Sequence, residues 1–128
     1  MPPVDIAAGP VHVRKAALFR ALGSPLRIRV LELLADGEGM TVAQLLAATA
    51  TEPSTLSSNL AVLRGVGVVV ARRSGSSVSY RLTNPSVAGF LRAAREFLLS
   101  TLDEDQLLRS DLESELGRSR PADAEVRE

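Results

Sequence analysis

The residues best suited to chemistry in this 128-residue sequence are arginines that surround a small, serine-rich turn. Arg72 and Arg73 precede the turn at residues 74–77, and Arg81 follows it. Guanidinium groups at a protruding tip suit phosphates and the minor groove of DNA. The pattern therefore indicates a polyanion-binding tip, although an edge hairpin protected by charge against aggregation would have a similar composition.

Groups for catalysis or metal binding are scarce. The chain contains no cysteine and one histidine, His12. The lack of cysteine excludes disulfides, thiolate metal ligands and cysteine nucleophiles, and no nucleophile–base pair or glycine-rich phosphate loop stands out. We interpret the carboxylates at 103–105 as an acidic helix start rather than a cation site. The sequence predicts no enzyme, no cofactor and no metal.

The segment that follows Glu52 and Pro53 predicts a helix with two different faces. At about 100° per residue, one face carries leucines and the opposite face carries small or hydroxyl-bearing residues. Such a face can enter a groove about 12 Å wide, and its hydroxyls can bond phosphates or base edges. A merely solvated surface helix would look similar. The leucines are Leu56, Leu60 and Leu63; the outer residues are Ser54, Ser58, Ala61 and Gly65, flanked by Thr55 and Ser57.

Local signals define the elements around these segments. Ser24-Pro25 is a helix start, and Thr41 with Gln44 predicts a capping box. A β-branched run and an alternating run, separated by the glycine-containing turn, predict a hairpin. The predicted helices span residues 11–22, 25 to about 36, 41–48 and 53–65, the strands span 68–73 and 78–82, and a last long helix starts at 84–85.

Two short helices followed by a two-stranded ribbon have the layout of a winged helix-turn-helix. The predicted fold is therefore mainly α with a two-stranded β-hairpin. We expect a flexible N-terminal arm over 1–10, a DNA-binding and dimerisation domain over 11–100, a helical extension over 101–117 and a disordered tail over 118–128. A second capping box at Thr101–Glu104 leaves open whether the last helix is one or two.

Charge is divided between the two parts of the chain. Residues 1–95 hold 11 Lys and Arg against 5 Asp and Glu, a net +6, whereas residues 96–128 hold 4 against 10, a net −6. A basic body suggests a polyanion partner. The longest apolar run, Val66–Ala71, is far too short to span a bilayer. We therefore expect a cytoplasmic protein without a membrane segment.

Three segments together resemble the ArsR/SmtB family of bacterial repressors. FRALGSPLRIRVLELL at 19–34 resembles the family's opening, STLSSNLAVLRGVGVV at 54–69 its recognition helix, and RRSGSSVSYRL at 72–82 its wing. The resemblance covers about residues 12–98. It implies a homodimer paired mainly through first and last helices, and repression of a nearby operon that an inducer relieves.

The sequence departs from the family pattern at several positions. Asn59 stands where members commonly have His, and Ser76 where the wing often carries Arg. Thr41 and Ala43, around Val42, occupy the places of the cysteines of a metal-sensing motif and cannot bind a soft or borderline metal. An unknown small-molecule effector, a protein effector or no direct effector are the options left.

The sequence predicts a homodimeric, sequence-specific repressor that binds double-stranded DNA at an inverted repeat, with recognition helices about 34 Å apart. The alternative is a winged-helix protein-interaction module with weak, non-specific DNA binding. The predicted DNA-binding residues are Gln44, Ser54, Thr55, Ser57, Ser58, Arg64, Arg72, Arg73, Ser76 and Arg81. The predicted dimer interface consists of Val13, Ala17, Phe90, Ala94, Phe97 and Leu98.

Overall fold

The computed structural model describes residues 9–119, with side chains over residues 9–115. This part of the chain divides into two units, one ending at Leu91 and the other beginning at Arg92. The described residues form five helices and three strands: α1 (Val11–Leu22), α2 (Pro25–Leu33), β1 (Met40–Thr41), α3 (Val42–Thr49), α4 (Pro53–Gly65), β2 (Val69–Ser74), β3 (Ser77–Leu82) and α5 (Ser86–Ser119).

The helix starts follow the predicted caps. The Ser24 hydroxyl accepts a hydrogen bond from the Arg27 backbone N–H at 3.3 Å, and Pro25 is the first residue of α2. At α3 both halves of the capping box are present: the Thr41 hydroxyl accepts from the Gln44 N–H at 3.1 Å, and the Gln44 side chain accepts from the Thr41 N–H at 2.8 Å. These bonds satisfy donors that a helix leaves unpaired at its N-terminus.

The sheet contains a short strand that the sequence did not predict. Over the described residues the strand order is β1-β3-β2, and β1 pairs antiparallel with β3 through Met40 with Tyr80 and Thr41 with Ser79. A strand of two residues has no periodicity to detect. The turn of the hairpin lies at residues 74–77, as predicted, and Ser74 pairs with Ser77 so that two loop residues separate the strands.

The core of the first unit fixes the orientation of α4. Leu56, Leu60 and Leu63 are 0–2% exposed. They pack in one cluster with buried residues of α2, α3, β2 and β3, among them Leu31 and Leu45. Burying a leucine side chain contributes about 1.5–3 kcal/mol, so three of them hold one face of this helix inward.

In the second unit, residues from Arg92 onwards continue α5 without interruption to Ser119. This settles the question of one or two helices: the Thr101 hydroxyl donates to the Phe97 carbonyl at 3.0 Å, back into its own helix, and caps no new one. The helix includes Arg118 and Ser119, which the sequence had assigned to a disordered tail. Residues 1–8 of the predicted arm and 120–128 of the tail lie outside the described residues.

A search of the described helices finds none with the length and apolar character needed to cross a membrane.

Two glycines before β1 allow a matched test of the β1–β3 contact. Gly37 and Gly39 both have a positive φ, 85° and 88°, but a Cβ on Gly39 would lie 3.1 Å from the Tyr80 carbonyl oxygen, whereas none of the described atoms lies within 4 Å of one on Gly37. We expect Gly37→Ala to lower the free energy of unfolding by roughly 1–2 kcal/mol, because alanine is strained at a positive φ. Gly39→Ala should lower it by more, because its Cβ would also crowd the Tyr80 carbonyl oxygen. Urea denaturation of both variants checks this, and equal losses would contradict the close contact.

Candidate nucleic-acid interface

The outer face of α4 is a continuous, uncharged surface of small residues. Ser54, Thr55, Ser57 and Ser58 are all exposed, opposite the buried leucines. The predicted orientation of the helix is therefore confirmed, while the role of each side chain in DNA binding stays a prediction. No bulky side chain on this face would stop the backbone from approaching a groove closely.

Hydrogen bonds within α4 fix what its hydroxyls can offer to a ligand. The Ser58 hydroxyl donates to the Thr55 carbonyl oxygen at 3.1 Å. Its proton is thus committed to its own helix, while its lone pairs remain able to accept. In this arrangement Ser58 suits a donor such as the amino group of cytosine or adenine in the major groove.

The turn between α3 and α4 brings Gln44 and the outer face of α4 into one helix-turn-helix. α3 ends at Thr49, its C-cap residue Ala50 has a left-handed φ of 52°, and α4 starts at Pro53. The Thr49 and Thr51 hydroxyls share a hydrogen bond of 2.8 Å across this turn. The Gln44 side-chain oxygen is occupied by the capping box, so its NH₂ group is the part available to DNA.

The arginines of the hairpin, which we call the wing (β2, β3 and their loop), fall on two faces. Residues in register share a face and alternate along each strand. Arg73 pairs with Val78 and shares a face with Tyr80, which is buried. Arg72 and Arg81 lie on the opposite face. All three arginines are exposed. The sequence predicted that they form one basic tip, whereas the strand register places them on two faces of the wing.

At the tip of the wing, Ser76 is exposed in the two-residue loop and Gly75 has a φ of 63°. Among the described non-glycine residues positive φ occurs at Ala50, so the loop has its left-handed residue at the first position alone. This is the pattern of a type II′ turn, which matches the twist of the strands. The tip is therefore a compact turn at residues 74–77, where a turn was predicted.

Arg64 joins the recognition helix to the wing. Its guanidinium donates to the Tyr80 hydroxyl at 3.4 Å. Tyr80 is 8% exposed and belongs to the core cluster. Arg64 itself is exposed, so its remaining donors are available, and the contact adds to the core packing that holds α4 beside the wing.

A second arginine contact was missed by the sequence analysis. The Arg27 Nε donates to the Ala21 carbonyl, and an Nη donates to the Asn59 side-chain oxygen at 2.9 Å. Arg27 thus touches both the end of α1 and the recognition helix. One signal was visible: an arginine three residues after a Ser-Pro helix start lies close to the end of the helix before it.

The predicted dimer residues differ in how much surface they offer. Val13, Phe97 and Leu98 are 47%, 69% and 63% exposed, and Phe90 and Ala94 are also exposed. Ala17 is 5% exposed within one chain; it lies one turn before the core residue Ala21 and has little surface left for a partner.

Two further exposed apolar side chains on α1 were not predicted. Val11 is 62% exposed and Phe19 65% exposed. Neither was among the residues predicted for the dimer interface. Helix α1 carries apolar side chains on more than one side, and Ala17, Ala21 and Leu22 are the ones buried within the chain. In the second unit, leucines of α5 are exposed as well: Leu99, Leu102, Leu107, Leu108 and Leu112.

Among the described residues, no group of three or more His, Asp or Glu side chains has the geometry to hold a metal ion.

A helix-turn-helix whose second helix lies beside a β-hairpin defines a winged helix-turn-helix domain. A family model described as a helix-turn-helix domain matches residues 22–72. The chain is 39% identical over 104 residues to the HTH-type transcriptional regulator Rv0081 of Mycobacterium tuberculosis, a match that covers 80% of this chain and 90% of the relative. The chain belongs to the ArsR/SmtB family of transcriptional regulators.

Solved structures agree with this assignment. The crystal structure of Rv0081 superposes with a TM-score of 0.70 over 77% of this chain and 98% of that one. The homodimeric winged helix-turn-helix domain of Mb0332 from Mycobacterium bovis, described as a possible ArsR-family regulator, gives 0.64 at 31% identity over 70% and 82%. The transcriptional repressor BigR from Xylella fastidiosa gives 0.62 at 30% identity over 67% and 87%.

The wing arginines lead to an electrostatic prediction. Replacing Arg73 with alanine removes one phosphate-binding charge, so affinity for a random-sequence duplex should fall and the slope of log affinity against log salt should decrease by about 1. Arg29→Ala is the control, because Arg29 lies on α2, 3.8 Å from Glu32. Fluorescence anisotropy between 50 and 200 mM salt measures both slopes. Equal slopes for Arg73→Ala and the wild type would contradict the assignment.

Proposed function

We propose that this protein is a homodimeric, sequence-specific transcriptional repressor that binds an inverted-repeat operator in the cytoplasm and performs no catalysis. The observation that carries the proposal is the pairing of a small, hydroxyl-bearing outer face of α4 with an arginine-bearing wing. The two are joined through Arg64 and Tyr80. Repressor function also has support from BigR, a winged-helix relative that is named as a repressor.

Each part of the interface has a distinct task in this proposal. α4 enters the major groove, where Ser58 accepts from a base and Thr55 and Ser57 bond phosphates or base edges. The wing arginines bind the flanking phosphates, which position the protein without reading sequence. Gln44, on α3, donates a hydrogen bond from its NH₂ group to the DNA backbone. Specificity therefore depends on a few hydroxyls, and affinity depends mainly on arginines.

The dimer follows from apolar surface that one chain leaves exposed. Val13 and Phe19 on α1, and Phe97 and Leu98 on α5, are each 47% exposed or more. Exposed apolar side chains mark each of these two helices as a place of interaction, and the homodimeric Mb0332 domain supports a second copy as the partner. Two copies related by a twofold axis present their recognition helices to successive major grooves, about 34 Å apart.

Selection of duplexes from a random library tests the function. We expect the wild type to enrich an inverted repeat, and with about 6–10 phosphate contacts its affinity should fall roughly a thousandfold or more from 50 to 200 mM salt. Ser58→Ala should enrich a different base at one position of each half-site, while its affinity for random duplex stays unchanged. Ser100→Ala, an exposed serine on α5, is the control.

Two outcomes would contradict the proposal. If the wild type enriches no sequence, the chain is not a specific DNA reader, and a protein-interaction module becomes the better description. If Ser58→Ala and Ser100→Ala select the same repeat as the wild type, Ser58 does not read bases.

The dimer interface has a separate test. Phe97→Asp places a charge on a surface that is 69% exposed in one chain, so folding should be unaffected while dimerisation weakens at least tenfold, about 1.4 kcal/mol. Ser100→Asp adds the same charge to the same helix at a polar position. Analytical ultracentrifugation at micromolar concentration distinguishes them. A monomeric wild type, or equal dissociation of both variants, would exclude this interface.

A further inference from the structure

Arg27 connects three helices through its backbone and side chain. Its N–H donates to the Ser24 hydroxyl, which caps α2. Its Nε donates to the Ala21 carbonyl in the last turn of α1, and an Nη donates at 2.9 Å to the Asn59 side-chain oxygen on α4. The carbonyls of a last helical turn lack partners within the helix and carry partial negative charge, so a guanidinium satisfies one of them favourably.

Asn59 connects Arg27 to the outer face of α4. Its amide nitrogen donates at 2.8 Å to the Thr55 carbonyl, which also accepts from the Ser58 hydroxyl at 3.1 Å. The amide oxygen faces a guanidinium donor and the amide nitrogen faces a carbonyl acceptor, so both ends of the side chain are in use. Asparagine is well suited to read adenine, but in this arrangement the amide oxygen and the amide nitrogen of Asn59 both bond to groups of the protein itself.

We propose that Arg27 and Asn59 form a hydrogen-bonded link that sets the angle of the recognition helix against the end of α1, and that Arg27 is thereby a positioning residue for sequence-specific DNA binding. The link runs from Ala21 through Arg27 and Asn59 to Thr55. This inference rests on the proposed function, because it concerns how the same DNA-reading surface is oriented.

The chemistry of the link requires arginine. The Nε and Nη donors of a guanidinium lie in one plane at a fixed separation, so they can hold two acceptors on different helices at once. A lysine has a single ammonium group and cannot reproduce this geometry, although it keeps the charge. The two bonds of the Arg27 side chain are part-buried, which strengthens them relative to the exposed bond from Asn59 to Thr55. A small rotation of α4 would break it and would move every outer side chain of α4 together.

A purely structural role for Arg27 would give different results from a positioning role. A residue that merely caps α1 would affect the temperature of unfolding and would weaken binding to all duplexes alike. A residue that orients α4 would reduce the affinity for the correct sequence and leave the phosphate-driven affinity for random DNA unchanged, since phosphate contacts tolerate small misorientations better than base contacts do.

The experiment compares Arg27→Lys, Asn59→Ala and the double variant in the full chain. The probes are the duplex that the wild type enriches from a random library and a shuffled duplex of the same length. Arg29→Lys is the matched control, because Arg29 lies two residues away on the same helix and pairs with Glu32 at the surface. Thermal unfolding of each variant identifies a temperature at which all of them are folded.

We expect Arg27→Lys and Asn59→Ala each to lose about tenfold or more in affinity for the enriched duplex, as for a hydrogen bond to a charged group, with less than a twofold change on the shuffled duplex. The double variant should lose no more than the larger single loss, because either change breaks the same link. Three outcomes would contradict the proposed link. They are an affinity loss in the double variant equal to the sum of the two single losses, equal affinity losses on the enriched and the shuffled duplex, and an equal affinity loss in Arg29→Lys.

Failure of the link and failure of the proposed function give separate results. If the wild type enriches no duplex, the proposed function fails before the variants are compared. If the wild type enriches a duplex and the two variants bind it as the wild type does, the function holds and Arg27 does not position α4. If Arg27→Lys does not fold, Asn59→Ala still tests the link, since it leaves the Arg27 bond to Ala21 in place.

Discussion

Burial of the α4 leucines is the constraint on which the rest of the site depends. Because Leu56, Leu60 and Leu63 are held inside the core, the helical repeat decides which side chains face outward. Those positions hold serine and threonine. A single change of register along α4 would turn leucines outward, so the hydrophobic core and the proposed DNA-reading surface are two aspects of one pattern.

Much of the fold was predictable from local signals. The caps at Ser24 and Thr41, the two faces of α4 and the hairpin all depend on residues close together in the sequence, where periodicity and capping chemistry act directly. The sequence left open whether α5 continues past Thr101, because a threonine hydroxyl can cap a new helix or bond back into the helix it belongs to.

What the sequence could not give arises from contacts between distant residues. Arg27 and Asn59 are 32 positions apart, and no local pattern links them. Arg72 and Arg73 lie on opposite faces because successive side chains of a strand alternate, but the face that Arg81 shares depends on the register between β2 and β3. The exposed Phe19 was missed for a related reason: a helix with apolar residues on more than one side has no single stripe, and its second apolar side is revealed when the first is packed.

The short strand β1 has a consequence for the physics of association. It bonds to β3 of the wing and leads directly into α3. The wing and the helix-turn-helix are therefore tied together twice at Tyr80, whose backbone lies opposite Met40 of β1 and whose hydroxyl accepts from Arg64. A surface already assembled before encounter loses little conformational entropy on docking. The heat-capacity change on complex formation should accordingly reflect the area of contact alone, without the larger signal of a segment that folds as it binds.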